Sequence, residues 1–214
     1  MRLIGAMILL GLLTACHIGS PAGPDTPVEP GDDAPHGLGM FVRWDADPGL
    51  PGPLTDRIGV SEVTFQIDHF QIVGDAGNAT HTKYLLAWDM DNVPQLDAFP
   101  DAPSGLYSRI DVVMMGGGSF GEDAFRIEGT WRDSGGPRRF QIHDRIPITV
   151  SLGCTEILPV AGSATIAIRV DLTEALGAVD YRNLDEEGGV LDLHDGQEMS
   201  NFRDRLAQAF SLVQ

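Results

Sequence analysis

From residue 38 onward strand signals dominate: short runs with apolar side chains at every second position recur up to residue 172, with Gly or Pro between them. A period of two is the signature of a strand with one buried face, so this stretch predicts a mainly β fold. Leu38 to Trp44 is a short apolar run. Val63, Phe65 and Ile67 alternate with Thr64, Gln66 and Asp68, after which Phe70 and Ile72 continue on the opposite parity. A phase flip at Asp68-His69 predicts a β-bulge or bend there. Lys83 to Trp88 is a further strand. Ile110, Val112 and Met114 follow the turn signal Pro103-Ser104-Gly105, and Gly116-Gly117-Gly118 ends that strand.

Phe125, Ile127 and Trp131 alternate with Arg126, Glu128, Thr130 and Arg132, which reads as a half-exposed antiparallel strand. Ser134-Gly135-Gly136 then turns the chain. Phe140, Ile142, Ile146, Ile148, Val150 and Leu152 share one parity, and Pro147 on the other places an edge or bend within that run. Ile166, Ile168, Val170 and Leu172 give the last clear strand. About eight strands separated by Gly/Pro turns predict an immunoglobulin-like antiparallel β-sandwich.

Two helical pieces follow. Thr173 is placed to cap a short helix through Leu176 and Val179. Met199, Phe202, Leu206, Phe210 and Val213 fall at spacings of three and four, which predicts an amphipathic C-terminal helix with Ser200 as its cap. Its stripe is expected to pack on the sandwich.

Ahead of the β region, residues 1–15 carry Arg2, an apolar core from Leu3 to Leu13 and small residues before Cys16. The apolar run is too short for a bilayer, which needs about 20 residues. Leu13-Thr14-Ala15-Cys16 resembles the lipobox of bacterial lipoprotein signal peptides. The resemblance implies a diacylglycerol thioether on Cys16, cleavage before it, and acylation of the new amino group. Several acyl chains make a stable anchor where one would be reversible. Ordinary secretion by cleavage near the same site is the alternative. His17 stands where the family's inner-membrane retention signal often has Asp, which favours outer-membrane sorting.

Residues 16–37 then form a lipidated Cys and tether. Pro21, Pro24, Pro27, Pro30 and Pro35 alternate with Gly and acidic residues. Such a segment cannot bury enough surface to order itself, and in polyproline II it would reach roughly 60 Å. Residues 38–214 are the folded domain. The expected location is the cell envelope, lipid-anchored, at the outer membrane and facing the periplasm or the surface.

The chain's formal net charge is −17. An acidic surface repels nucleic acid, so that partner class is excluded, and anionic lipid surfaces are disfavoured as well. With Cys16 acylated, Cys154 is the only thiol left, and an internal disulfide cannot form. Cys154 ends an apolar run with no His or Lys beside it, as expected of an inert, buried thiol.

The segments VSEVTFQIDHFQIVGD (60–75), PSGLYSRIDVVM (103–114) and the pair ITVSLG (148–153) with ATIAIRVDLTEAL (164–176) resemble a broad group of bacterial lipoproteins with immunoglobulin-like or transthyretin-like sandwiches. One branch, the methanobactin-associated periplasmic (MbnP-like) domains, is linked to copper handling. The resemblance spans about residues 38 to 212 at the level of pattern. It carries over no catalytic residue.

Three kinds of chemistry are open to these residues. His69, His143 and His194, with Met199 and Asp195 near His194, offer imidazole and thioether for copper, or imidazole and carboxylate for zinc. No His-x3-His or Cys-x2-Cys spacing joins them, and scattered solvent-facing histidines, including His81 in a polar loop, account for the same residues. Asp45 and Asp47, Asp89 and Asp91, and Asp185-Glu186-Glu187 offer hard oxygens for calcium on expected loops. They lack the EF-hand pattern, so solvated acidic loops explain them too. Nucleophilic catalysis finds no support, because Gly118-Ser119 is not set in a G-x-S-x-G elbow. Trp44, Trp88 and Trp131 would serve an aromatic glycan-binding face, with core packing as the alternative for Trp131.

The sequence therefore reads as a non-enzymatic, membrane-anchored binding or structural module without a required cofactor. Its expected partners are the membrane, through Cys16, and an envelope protein or glycan. The second reading is a periplasmic metal-binding protein, for copper or calcium.

Overall fold

A computed structural model describes residues 38–47, 49–88, 95–117 and 122–213, with the side chain of Asp47 left out. The expected signal peptide, Cys16, the tether, Asp89 and Asp91 lie outside the described residues. The described part falls within one unit.

The described residues are mainly β, with thirteen strands and two helices. The first sheet has the order β13 (Phe210–Leu212), β10 (Ser163–Asp171), β1 (Gly39–Asp47), β5 (Gln95–Phe99). β1 and β10 run parallel, in register from Gly39 opposite Ser163 to Asp47 opposite Asp171. The second sheet has the order β11 (Asp185–Glu187), β12 (Val190–Leu193), β8 (Gly136–Asp144), β7 (Phe125–Asp133), β3 (Ile58–Gly74), β6 (Gly105–Met114), β9 (Ile148–Leu158). β2 (Gly52–Pro53) and β4 (Asn78–Trp88) also pair with β3. Both sheets are mixed, since β12 joins β8 in parallel. The purely antiparallel, eight-strand expectation is corrected on both counts.

β3 is the spine of the second sheet. Along one edge it pairs with β4 from Val63 to Val73; along the other it pairs with β7 up to Phe65 and with β6 from Ile67. The change of partner coincides with a register shift between Ile67 and His69. Gln66 donates its backbone N–H to Ala124 and accepts from Met115 at this point. The parity flip in the sequence is the trace of this junction: Val63, Phe65 and Ile67 are buried before it, Phe70 and Ile72 after it. A bulge rotates the strand, so the buried set changes phase without leaving the core.

Aromatic contacts close the sandwich-like core between the sheets. Phe70 lies 5.5 Å from Trp44 and 5.4 Å from Phe99, and Phe65 lies 5.6 Å from Phe210, centroid to centroid. The far part of the second sheet is covered by the C-terminal segment. α2 (Gly196–Gln208) sets Phe202 5.8 Å from Phe125, and Tyr181 packs on Trp131 and Phe140.

Several expectations change in detail. The shared parity from Phe140 to Leu152 spans two strands, because the Asp144 carboxylate accepts the N–H groups of Arg145 and Ile146 and turns the chain ahead of Pro147. Ile146 is consequently exposed. α1 (Thr173–Gly177) is capped at Leu172 without a side-chain bond, while Asp171 accepts from the N–H of Thr173. α2 starts after Asp195, not at Ser200, and stops at Gln208. Phe210 is buried as part of β13, which pairs with β10. His81 lies on β4 instead of in a loop, and Asp185-Glu186-Glu187 form β11.

Candidate metal centre

The parallel pair of β8 and β12 brings together residues far apart in the chain. Its register sets Phe140 opposite Leu191 and Ile142 opposite Leu193. These four side chains point into the core. Strand alternation then sends Gln141, His143, Asp192 and His194 to the other face. Asp192 and His194 lie two residues apart and share that face; His143 reaches it from the adjacent strand.

The ligating atoms of His143, Asp192 and His194 all lie within 4.8 Å of one another. His143 Nε2 is 3.4 Å from Asp192 Oδ1, and His194 Nδ1 is 3.1 Å from Asp192 Oδ2. The two imidazoles are stacked with centroids 5.8 Å apart. Asp192 Oδ1 is buried and receives no hydrogen bond. Leaving such an atom unsatisfied costs about 1–3 kcal/mol, so its position calls for a positive partner.

Asp123, just ahead of β7, holds His143 from behind: its Oδ1 is 3.2 Å from His143 Nδ1, and its Oδ2 accepts from Arg126 at 2.9 Å. Burial pushes the Asp123 carboxyl up, but the hydrogen bonds and charges of His143 and Arg126 outweigh it and hold the group below its ordinary range. An ionised Asp123 fixes a proton on Nδ1 and turns Nε2 toward Asp192. A carboxylate behind a ligating imidazole is the usual support of a metal-bound histidine.

Two imidazole nitrogens and one carboxylate suit a divalent first-row transition ion. Calcium and magnesium prefer oxygen-only sets. The two imidazole–carboxylate separations, 3.4 and 3.1 Å, are close to the ~3.3 Å that neighbouring ligands about 2.0 Å from one ion would span.

The other sequence candidates go elsewhere. His69 sits at the β3 junction, outside the three-residue group. Met199 is wholly buried in the core, on the same helical face as Phe202 and Leu206. Asp45 is held by Arg43 through two 2.9 Å contacts. Glu186 pairs with Arg138. The aromatic face does not form, since Trp44, Trp88 and Trp131 are 1%, 3% and 7% exposed. Cys154 is half-buried on β9, its thiol pushed up by burial and then by Glu156.

Sequence reading missed Asp192 and Asp123. Val190-Leu191-Asp192-Leu193-His194 does alternate, and an Asp-x-His on a strand puts both donors on one face. No comparable signal marks Asp123. No family model matches the chain, and neither a curated protein nor a solved structure matches it.

Proposed function

We propose that this chain is a cell-envelope lipoprotein whose β domain binds a divalent transition-metal ion through His143, Asp192 and His194. The observation that carries the metal reading is the Asp192 carboxylate between two imidazoles, its Oδ2 beside His194 and its buried Oδ1 beside His143 without a hydrogen bond. The donor set favours zinc or copper(II) over calcium. Envelope attachment rests on the lipobox ending in Cys16. The immunoglobulin-like character of the sandwich belongs to the same proposal. Two sheets with aromatic packing between them support it, while thirteen strands exceed the about seven to nine of that architecture.

The test is a thermal melt of the purified protein with and without metal. At 100 times its dissociation constant a native-state ligand adds about 2.7 kcal/mol. In a domain of this size that raises Tm by about 5–10 °C. Zinc or copper should produce this shift, calcium should not, and His143→Ala should erase it. A melt that no transition metal moves would sink the metal reading. For the anchor, Cys16→Ser should release the protein from the membrane fraction; retention would refute lipidation.

A further inference from the structure

Resting on that metal reading, we infer that the ion keeps one coordination position open toward solvent and fills it with a small neutral nitrogen donor in preference to an anion. The donors all come from one face of a sheet, Asp192 and His194 from one strand and its end, His143 from the next. They therefore occupy one hemisphere of the ion, and a four-coordinate ion still needs a partner on the other. That side is open, for the His194 side chain is 48% exposed while Asp192 is 14%.

A recess of about 150 Å³ borders the group on its Asp192 and His194 side, lined also by Asn183, Asp185, Asp195 and Glu198 but not by His143. Its volume leaves room for a small ligand of a few non-hydrogen atoms. Its charge decides the ligand class. Once Asp192 is coordinated, a divalent ion retains one positive charge. The carboxylates of Asp185, Asp195 and Glu198 border the same recess, with Asp195 Oδ2 3.9 Å from His194 Nε2 and Glu198 also accepting from the Asp180 N–H. Arg126 lies on the His143 side and is engaged by Asp123 and Glu128. These carboxylates disfavour an incoming anion relative to a neutral imidazole or amine lone pair, which carries no charge for them to oppose.

Cobalt(II) tests this directly, because its visible absorption reports both binding and coordination change. The full chain is loaded with cobalt and titrated separately with imidazole and with azide, with retention of cobalt checked after each. Imidazole should shift the spectrum at a concentration at least about tenfold below any azide effect. The triple variant Asp185→Asn, Asp195→Asn, Glu198→Gln should narrow that gap by admitting azide. A cobalt spectrum that neither ligand alters, or that azide alters as readily as imidazole, overturns this inference while leaving metal binding intact. Failure of cobalt to bind, or binding that His143→Ala does not weaken, instead overturns the metal reading itself.

Discussion

Two groups of carboxylates divide the molecule. Within the sandwich, Asp97 accepts from Trp44 Nε1 at 2.7 Å and from the Tyr84 hydroxyl at 2.8 Å. Asp144, nearly sealed at 7% exposure, accepts two backbone N–H groups and is ion-paired with Arg203 of α2. On the outer face of β8 and β12, Asp192 is almost as enclosed but has an oxygen that nothing donates to. Buried polar groups in folded proteins are normally satisfied, so Asp97 and Asp144 explain themselves as parts of the frame. Asp192 does not. The contrast separates polar residues that hold the sandwich together from the one on which the proposed metal site rests.

The comparison breaks if the saturated carboxylates prove dispensable. Asp144→Ala carries the largest expected effect. It leaves the Arg203 guanidinium without its partner and frees two N–H groups at the β8–β9 turn. Removing one partner of an enclosed ion pair typically loses about 3–5 kcal/mol. Chemical denaturation should register a loss of at least about 3 kcal/mol; a loss below about 1 kcal/mol would remove Asp144 from the frame. Asp97→Ala should follow at about 2 kcal/mol, since it orphans an indole N–H and a phenol. Tyr84→Phe, which deletes one donor and leaves the other, should lose about 1 kcal/mol.

The frame also makes an alkaline prediction. All three tyrosines, Tyr84, Tyr107 and Tyr181, are pushed above the ordinary phenol range by burial first. The charges of Asp97, Asp75 and Glu198 add to this in turn. Below about pH 10 folded and unfolded chains both keep these protons. Above it the unfolded chain releases them and the folded chain holds them, so stability is lost as pH rises toward the folded values. Phenolate absorbance should therefore appear together with loss of near-ultraviolet circular dichroism. Tyrosines that titrate near pH 10 in an intact fold would contradict the buried network.

The two regions were unequally legible in the sequence. The frame announces itself because burial on one face writes a period of two into the chain. Even the β3 junction is visible as the flip between Ile67 and Phe70. The short strands β11, β12 and β13 are not, because three or four residues carry too little periodicity to separate strand from loop, and Phe210 continued a helical spacing that the chain abandons at Gln208. The candidate metal centre fails for a different reason. His143 and His194 were singled out singly, but their meeting depends on a parallel β8–β12 pairing across about 50 residues, which no local spacing encodes. Asp123 is less readable still, since only the segment leading into the third strand in line, β7, brings it behind His143.

The smallest expected effect is the sharpest test of the contrast. Asp192→Asn keeps the shape of the side chain and removes the charge. Without metal, nothing is lost at Oδ1, which has no donor to lose, and the neutral amide can give an N–H to the lone pair of an imidazole. The apo domain should therefore match the native chain within about 0.5 kcal/mol or exceed it, because relieving an unsatisfied carboxylate offsets the weaker pull on His194. With zinc or copper present the same substitution should erase the melt shift, since an amide oxygen is a far poorer ligand than a carboxylate. A structural carboxylate would behave the other way, lowering the apo melt as Asp144→Ala does. If Asp192→Asn destabilises the apo domain by more than about 2 kcal/mol, then Asp192 belongs with Asp97 and Asp144, and the distinction between frame and site is lost.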